Sequence, residues 1–210
     1  MLQRYWVPQI LAFSLALLMV GCAAMTKEEK NFSKNGLTIA FKSINYLDDV
    51  QNVKFIYPII LSEENIRNHL LSLYYQDILK PRTPRPVFSR RSANELASLF
   101  KTVMKKVKPG KYLHFEYQGP GGITEGQVFA TQKKLYWNIL RINGVAYSNS
   151  PLRLEKPTWK LVRAPGQDYQ VLQTGRFKQV LKNKIVARIN MPYPKQRDLA
   201  ESRRRSSRRY

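Results

Sequence analysis

The chain has 210 residues, a net charge of +22 and a single cysteine. One cysteine excludes both an intramolecular disulfide and a metal site built on several thiolates. A hydrophobic share of 43% argues against wholesale disorder. The excess of 36 Lys and Arg over 14 Asp and Glu favours anionic partners and says nothing about the fold.

The N-terminal segment has the organisation of a secretory signal. Arg4 precedes an uncharged run with an apolar core at 10–20, and the run ends in Met19-Val20-Gly21-Cys22. This ending resembles the lipobox of bacterial lipoproteins: Val20 and Gly21 match its second and third positions, Cys22 matches the lipidated residue, and Met19 replaces the usual Leu. One alternative is an uncleaved anchor, for which about a dozen strongly apolar residues are short of the ~20 needed. Another is a soluble protein with an apolar N-terminus.

The resemblance implies a lipid anchor and an organisation for the whole chain. In lipoproteins of this kind the Cys thiol carries a diacylglyceryl group and the freed amine is acylated, which makes membrane lipid a partner through Cys22. Ala23, in place of the Asp that retains such proteins at the inner membrane, favours the periplasmic face of the outer membrane if the bacterium is didermic. We expect a signal peptide at 1–21, a lipidated Cys and tether at 22–35, a basic α+β domain at 36–192 and a disordered Arg-rich tail at 193–210.

The first half of the domain predicts two strands and two helices. Alternating apolar residues indicate a strand at 37–47, and a second short strand at 53–57 ends before Pro58. Ser62 has the position of an N-cap for a helix running to about Gln76. A Pro-rich basic loop follows at 80–91. A capping box at 92–95 then predicts an amphipathic helix with apolar residues from Leu96 to Val107, ended by Pro109.

The second half predicts an antiparallel meander. Strands are expected at 112–118, 123–131, 135–142, 159–163, 169–173, 177–181 and 185–189, with a turn at 182–183 between the last two. The fold class is therefore α+β: an antiparallel β-sheet meander of about six to eight strands with two amphipathic helices packed on one face. A partly closed, barrel-like sheet is the alternative.

One group of residues in this meander could carry chemistry. A turn at 119–122 would place Glu116 opposite Glu125 and His114 opposite Gln127, with His114 and both carboxylates on one face of the sheet. Two carboxylates and an imidazole could bind a divalent cation or act as an acid/base pair. The alternative, which we favour on sequence grounds, is a solvated face neutralised by the abundant Lys and Arg. We therefore expect no metal, no cofactor and no catalytic residue.

Two basic segments are candidates for anionic-surface binding. The tail carries Arg203, Arg204, Arg205, Arg208 and Arg209 without an acid after Ser202, and such side chains pair with phosphates through bidentate forks. The loop at 80–91 is the second. The alternative for the tail is a solubilising extension, and for the loop a solvated connection.

The sequence thus favours a lipid-anchored cell-envelope lipoprotein with a non-enzymatic structural, assembly or anionic-polymer-binding role. Its possible partners are an anionic envelope polymer or an envelope protein. One alternative is an envelope enzyme acting on glycan or lipid through Glu116, Glu125 and His114. Another is a nucleic-acid-binding uptake protein, although an exported, lipid-tethered chain rarely meets nucleic acid.

Overall fold

The computed structural model describes residues 32–47, 53–148, 156–174 and 176–194. The helices are α1 (Glu63–Leu71) and α2 (Arg90–Met104), and a 3-10 turn covers Ile44–Tyr46. The strands are β1 (Phe32–Lys34), β2 (Leu37–Ser43), β3 (Tyr74–Asp77), β4 (Arg85–Pro86), β5 (Lys111–Gly119), β6 (Gly122–Ala130), β7 (Lys134–Ile142), β8 (Val145–Ala146), β9 (Trp159–Val162), β10 (Gln167–Thr174) and β11 (Phe177–Arg188).

Eight of these strands form one antiparallel sheet. Its order is β1-β2-β5-β6-β7-β11-β10, with β8 paired to β7, and a second sheet has the order β4-β3-β9. The predicted α+β fold with an antiparallel meander is confirmed. Strands β1 and β10 are the two edges of the large sheet, which is an open sheet and not the barrel-like alternative. Strand β1 lies within the range expected to be a tether.

The helices pack against one face of this sheet. The ring of Phe100 on α2 meets Phe115 and Trp137 edge to face, at centroid distances of 5.4 and 5.8 Å. His69 on α1 lies against the same Trp137, at 6.3 Å. Offset and edge-to-face aromatic contacts of this kind add to the stabilisation from burial. The core therefore lies between the helices and the sheet.

Helix α1 begins as predicted and ends earlier than predicted. The Ser62 side chain accepts a hydrogen bond from the Asn65 backbone N–H, which confirms Ser62 as the N-cap. The helix stops at Leu71, whereas we expected it to reach Gln76. The residues after it form β3, in which Tyr75 pairs with Leu161 of β9. Pairing with a strand more than eighty residues away thus overrides the local helical pattern.

Helix α2 begins one turn before the predicted capping box. Its N-cap is Ser89, whose hydroxyl accepts from the Ser92 backbone N–H, so Ser92 lies inside the helix and the predicted cap is wrong. The helix ends at Met104, before the predicted end near Val107, because the chain closes into a tighter turn in which Val107 N–H donates to the Met104 carbonyl.

One predicted strand and one predicted turn in other parts of the chain are also wrong. Residues 53–57 form no strand, although the Ile56 N–H donates to the Ala130 carbonyl at the end of β6. The turn expected at 182–183 is a bulge within the continuous strand β11, because Tyr169 pairs with Ile185 while Gln170 pairs with Leu181. A bulge leaves extra residues on one strand without ending the pairing.

Candidate functional site

The turn between β5 and β6 brings the predicted polar group together. The register pairs Glu116 with Glu125, His114 with Gln127 and Gln118 with Ile123, as the sequence predicted. His114 and Glu116 are two residues apart on β5, so their side chains share a face, and Glu125 joins them from β6. This face is opposite the one that receives the helices.

Distances within the group are short. The His114 Nε2 atom lies 3.4 Å from Oε1 of Glu125 and 3.7 Å from Oε1 of Glu116. The other carboxylate oxygen of Glu125 lies 3.6 Å from Nη2 of Arg141 on β7. Each oxygen of Glu125 therefore faces a different partner, and the imidazole nitrogen lies between the two carboxylates.

The group is only partly the solvated face that the sequence favoured: Glu116 is exposed, but His114 is not. His114 is only 7% exposed, and Tyr112 and Asn138 on the same face are also buried. Burial lowers the pKa of His114, the charge of Lys42 acts in the same direction, and Glu125 and Glu116 oppose them. The balance favours the neutral imidazole near pH 7, with one ring nitrogen able to offer a lone pair.

A row of hydrogen-bonded side chains extends from the group across the sheet. Gln127 donates to the Tyr112 hydroxyl at 3.3 Å, and Asn138 donates to Gln127 at 2.6 Å. Asn183 in the β11 bulge donates to Asn138 at 3.1 Å and to the Ile139 carbonyl at 3.0 Å. Sequence reasoning missed this row, although the polar residues at alternate positions of β5 and β6 signalled a polar face.

A second feature is the projecting end of the β10–β11 hairpin. We define the outer hairpin as residues 170–174 and 176–181. Strand β11 pairs with β7 only from Lys184 to Arg188, so the outer hairpin is held by its own two strands. Phe177 is 82% exposed, and Val171 and Val180 are about half exposed. The sequence predicted these strands but not that they extend beyond the body.

The outer hairpin and the adjoining part of β11 are also basic. Strand β11 carries Lys178, Lys182, Lys184 and Arg188 and no acid, and Arg176 precedes it. Within the described parts of the chain, Arg176, Lys178 and Lys182 form no ion pair. Exposed apolar side chains among unpaired cations are typical of surfaces that contact an anionic interface.

The other predicted candidates divide into two groups. Cys22 and the five tail arginines, Arg203, Arg204, Arg205, Arg208 and Arg209, lie outside the described residues. In the loop at 80–91, Arg85 pairs with Asp77 at 3.0 Å and lies over the Tyr75 ring, and Arg91 pairs with Glu95 at 3.0 Å. Those two cations of the loop are therefore already engaged within the protein.

Comparisons with known proteins give this chain no relatives. No family model matches it, and no curated protein and no solved structure matches it either. Among residues 32–47, 53–148, 156–174 and 176–194, no helix is both long and apolar enough to span a bilayer.

Proposed function

We propose that this protein is a lipid-anchored, non-enzymatic component of a bacterial cell envelope whose basic domain binds phosphate-bearing surfaces. The lipobox-like ending at Cys22 supports the anchor and the location. The observation that carries the binding role is the outer hairpin, where exposed Phe177 is flanked in sequence by the cations Arg176 and Lys178.

The physical basis is the sum of two weak attractions. Each Lys or Arg near an anionic membrane contributes about 1 kcal/mol of binding free energy. An apolar ring that enters the interface adds the burial of its own surface. Several such contributions hold a domain against a surface to which a lipid at Cys22 already confines it.

The test compares charge reversals at two places on the same domain. Residues 22–210 carrying Cys22→Ser, which removes the lipid, are sedimented with vesicles containing phosphatidylglycerol and with vesicles of phosphatidylcholine alone. We expect binding to the anionic vesicles only. Arg176→Glu with Lys178→Glu should weaken it at least about tenfold, since two charges are reversed. The matched control, Lys105→Glu with Lys106→Glu at the end of α2, should weaken it less.

A competition arm separates lipid from polymer as the natural surface. If inorganic polyphosphate displaces the protein from vesicles, the protein recognises phosphate in general. In that case Phe177→Ser should weaken binding to vesicles and leave binding to polyphosphate unchanged. Equal binding by the hairpin variant and the wild type, or equal binding to both kinds of vesicle, would contradict the proposal.

The second candidate is an envelope enzyme acting on glycan or lipid. The observation in its favour is the burial of His114 beside Glu116 and Glu125, since a neutral imidazole and a carboxylate can transfer protons in turn. Replacing both glutamates with Gln abolishes the cellular function only if this candidate is correct.

A further inference from the structure

The separations of three potential ligand atoms are close to those of a metal site. His114 Nε2, a Glu116 oxygen and a Glu125 oxygen all lie within 4.8 Å of one another. Bonds of 2.0–2.2 Å in a tetrahedral Zn²⁺ site place neighbouring ligand atoms about 3.3–3.6 Å apart. The distances of 3.4 and 3.7 Å from Nε2 to the two carboxylates are already near that range. The distance that must shorten is the one between the two carboxylate oxygens, which is at most 4.8 Å and must decrease by about 1 Å.

The side chain that must move is the one that has room to do so. The Glu116 side chain is 51% exposed, whereas those of His114 and Glu125 are 9% and 19% exposed. His114 and Glu125 therefore form the fixed part of the group, and Glu116 can complete it from the solvent side.

His114 is buried, and its two ring nitrogens have different surroundings. Its Nε2 atom faces both carboxylates, whereas its Nδ1 atom is buried and has no hydrogen-bond partner among the described residues.

The two carboxylates supply negative charge for a bound cation, and Lys42 and Arg141 are the positive charges near the group. Glu116 and Glu125 are directly opposite each other on neighbouring strands, where like charges repel. Arg141 approaches only the oxygen of Glu125 that points away from His114, which leaves the other oxygen toward the imidazole. An outer partner of this kind commonly orients a carboxylate ligand.

We propose that His114, Glu116 and Glu125 bind a divalent transition-metal ion through Nε2 and one oxygen of each carboxylate. One nitrogen and two oxygen ligands suit Zn²⁺ or Mn²⁺ better than the all-oxygen ions Ca²⁺ and Mg²⁺. Three protein ligands leave a coordination position for water or a further ligand. This site is independent of the outer hairpin and of the lipid anchor.

The experiment titrates the chelator-treated full chain in detergent with ZnCl₂. Calorimetry should give one ion per chain, and the ring resonances of His114 should shift while those of His69 do not. These are the only two histidines of the chain, so His69 serves as an internal control. Cys22→Ser should keep the binding, which excludes the thiol as the ligand.

Glu116→Gln is the decisive variant. Glu116 is half exposed, so we expect the variant to fold as the wild type does, and a thermal unfolding curve checks this directly. We expect the dissociation constant for Zn²⁺ to rise at least tenfold. Glu64→Gln, at an exposed carboxylate in the first turn of α1, should leave it unchanged. Unshifted His114 resonances, or Zn²⁺ binding that Glu116→Gln leaves intact, would overturn the proposal.

Discussion

The Tyr117 hydroxyl donates a 2.9 Å hydrogen bond to Oγ of Ser92, which joins strand β5 to helix α2 inside the core. The Ser92 hydroxyl lies 2.8 Å from that of Ser89, the N-cap of the helix. A chain of three hydrogen-bonded hydroxyls, from Tyr117 through Ser92 to Ser89, thus connects the sheet to the first turn of α2. The start of the helix is positioned by the sheet as well as by its own cap.

Replacing Tyr117 with Phe should destabilise the fold. The variant removes one buried hydrogen bond, and Ser92 keeps its contact with Ser89, so we expect the free energy of unfolding in urea to fall by about 1–2 kcal/mol. Tyr46→Phe is the control, because Tyr46 is 74% exposed and should change stability by less than about 0.5 kcal/mol. Equal changes in the two variants would contradict the role of this bond.

His69 should make the fold sensitive to mild acid. Burial lowers its pKa to about 4, against a weaker opposing effect of the 2.9 Å hydrogen bond between Nε2 and the Ile189 carbonyl. In the unfolded chain His69 takes up a proton below pH 6.5, whereas in the folded chain it does so only below about pH 4. The stability that His69 contributes above pH 6.5 is therefore lost as the pH falls from 6.5 to about 4.

The measurement is urea unfolding at pH 7 and pH 4.5. Over this interval the wild type should lose about 2 kcal/mol more stability than His69→Gln, which has no group to protonate there. The variant also controls for the carboxylates, since these titrate in both proteins. If both proteins lose the same stability, His69 is not the origin of the acid sensitivity.

Substituting Cys22 should release the protein from membranes. Because each buried methylene contributes about 0.8 kcal/mol, two or three acyl chains on one residue give very slow dissociation. We expect Cys22→Ser to move the protein from the membrane fraction toward the soluble fraction of fractionated cells. Intact mass should show a lipid adduct on the wild type. An unmodified mass that still includes Met1 would rule out the lipoprotein assignment.

Deleting residues 203–210 should weaken sedimentation with envelope material at low salt. Five arginines at about 1 kcal/mol each make a large contribution near an anionic surface, and salt should reduce the difference because it screens exposed charges. Replacing the five arginines with lysines keeps the charge and should keep most of the binding. An unchanged sedimentation after deletion would leave the tail with a solubilising role only.

The strongest sequence predictions are those that depend on local patterns. The glycine-rich turn after β5 fixed which residues face each other, so the pairing of Glu116 with Glu125 followed from alternation alone. Ser62 before two acidic residues was sufficient to locate the start of α1. Neither result needed information from distant parts of the chain.

The failed predictions were those in which a distant contact or a competing nearby residue overrode the local pattern. Tyr75 continues a helical pattern, yet it becomes part of a strand because β9 lies beside it. Ser92 fits a capping box, but Ser89 takes that role. The burial of His114 was also beyond the sequence, since alternation assigns a side chain to a face and does not reveal whether that face is covered.

The position of β1 determines how far the domain can reach from a membrane. Cys22 and Phe32 are ten residue steps apart, and a fully extended chain of that length spans about 34 Å. The six strand spacings from β1 to β10 amount to about 29 Å. Under the proposed lipid attachment, the extended segment from Cys22 to Phe32 is longer than the large sheet is wide. The domain can therefore lie on its side and bring its opposite edge, with Phe177, onto the same bilayer that holds its N-terminus.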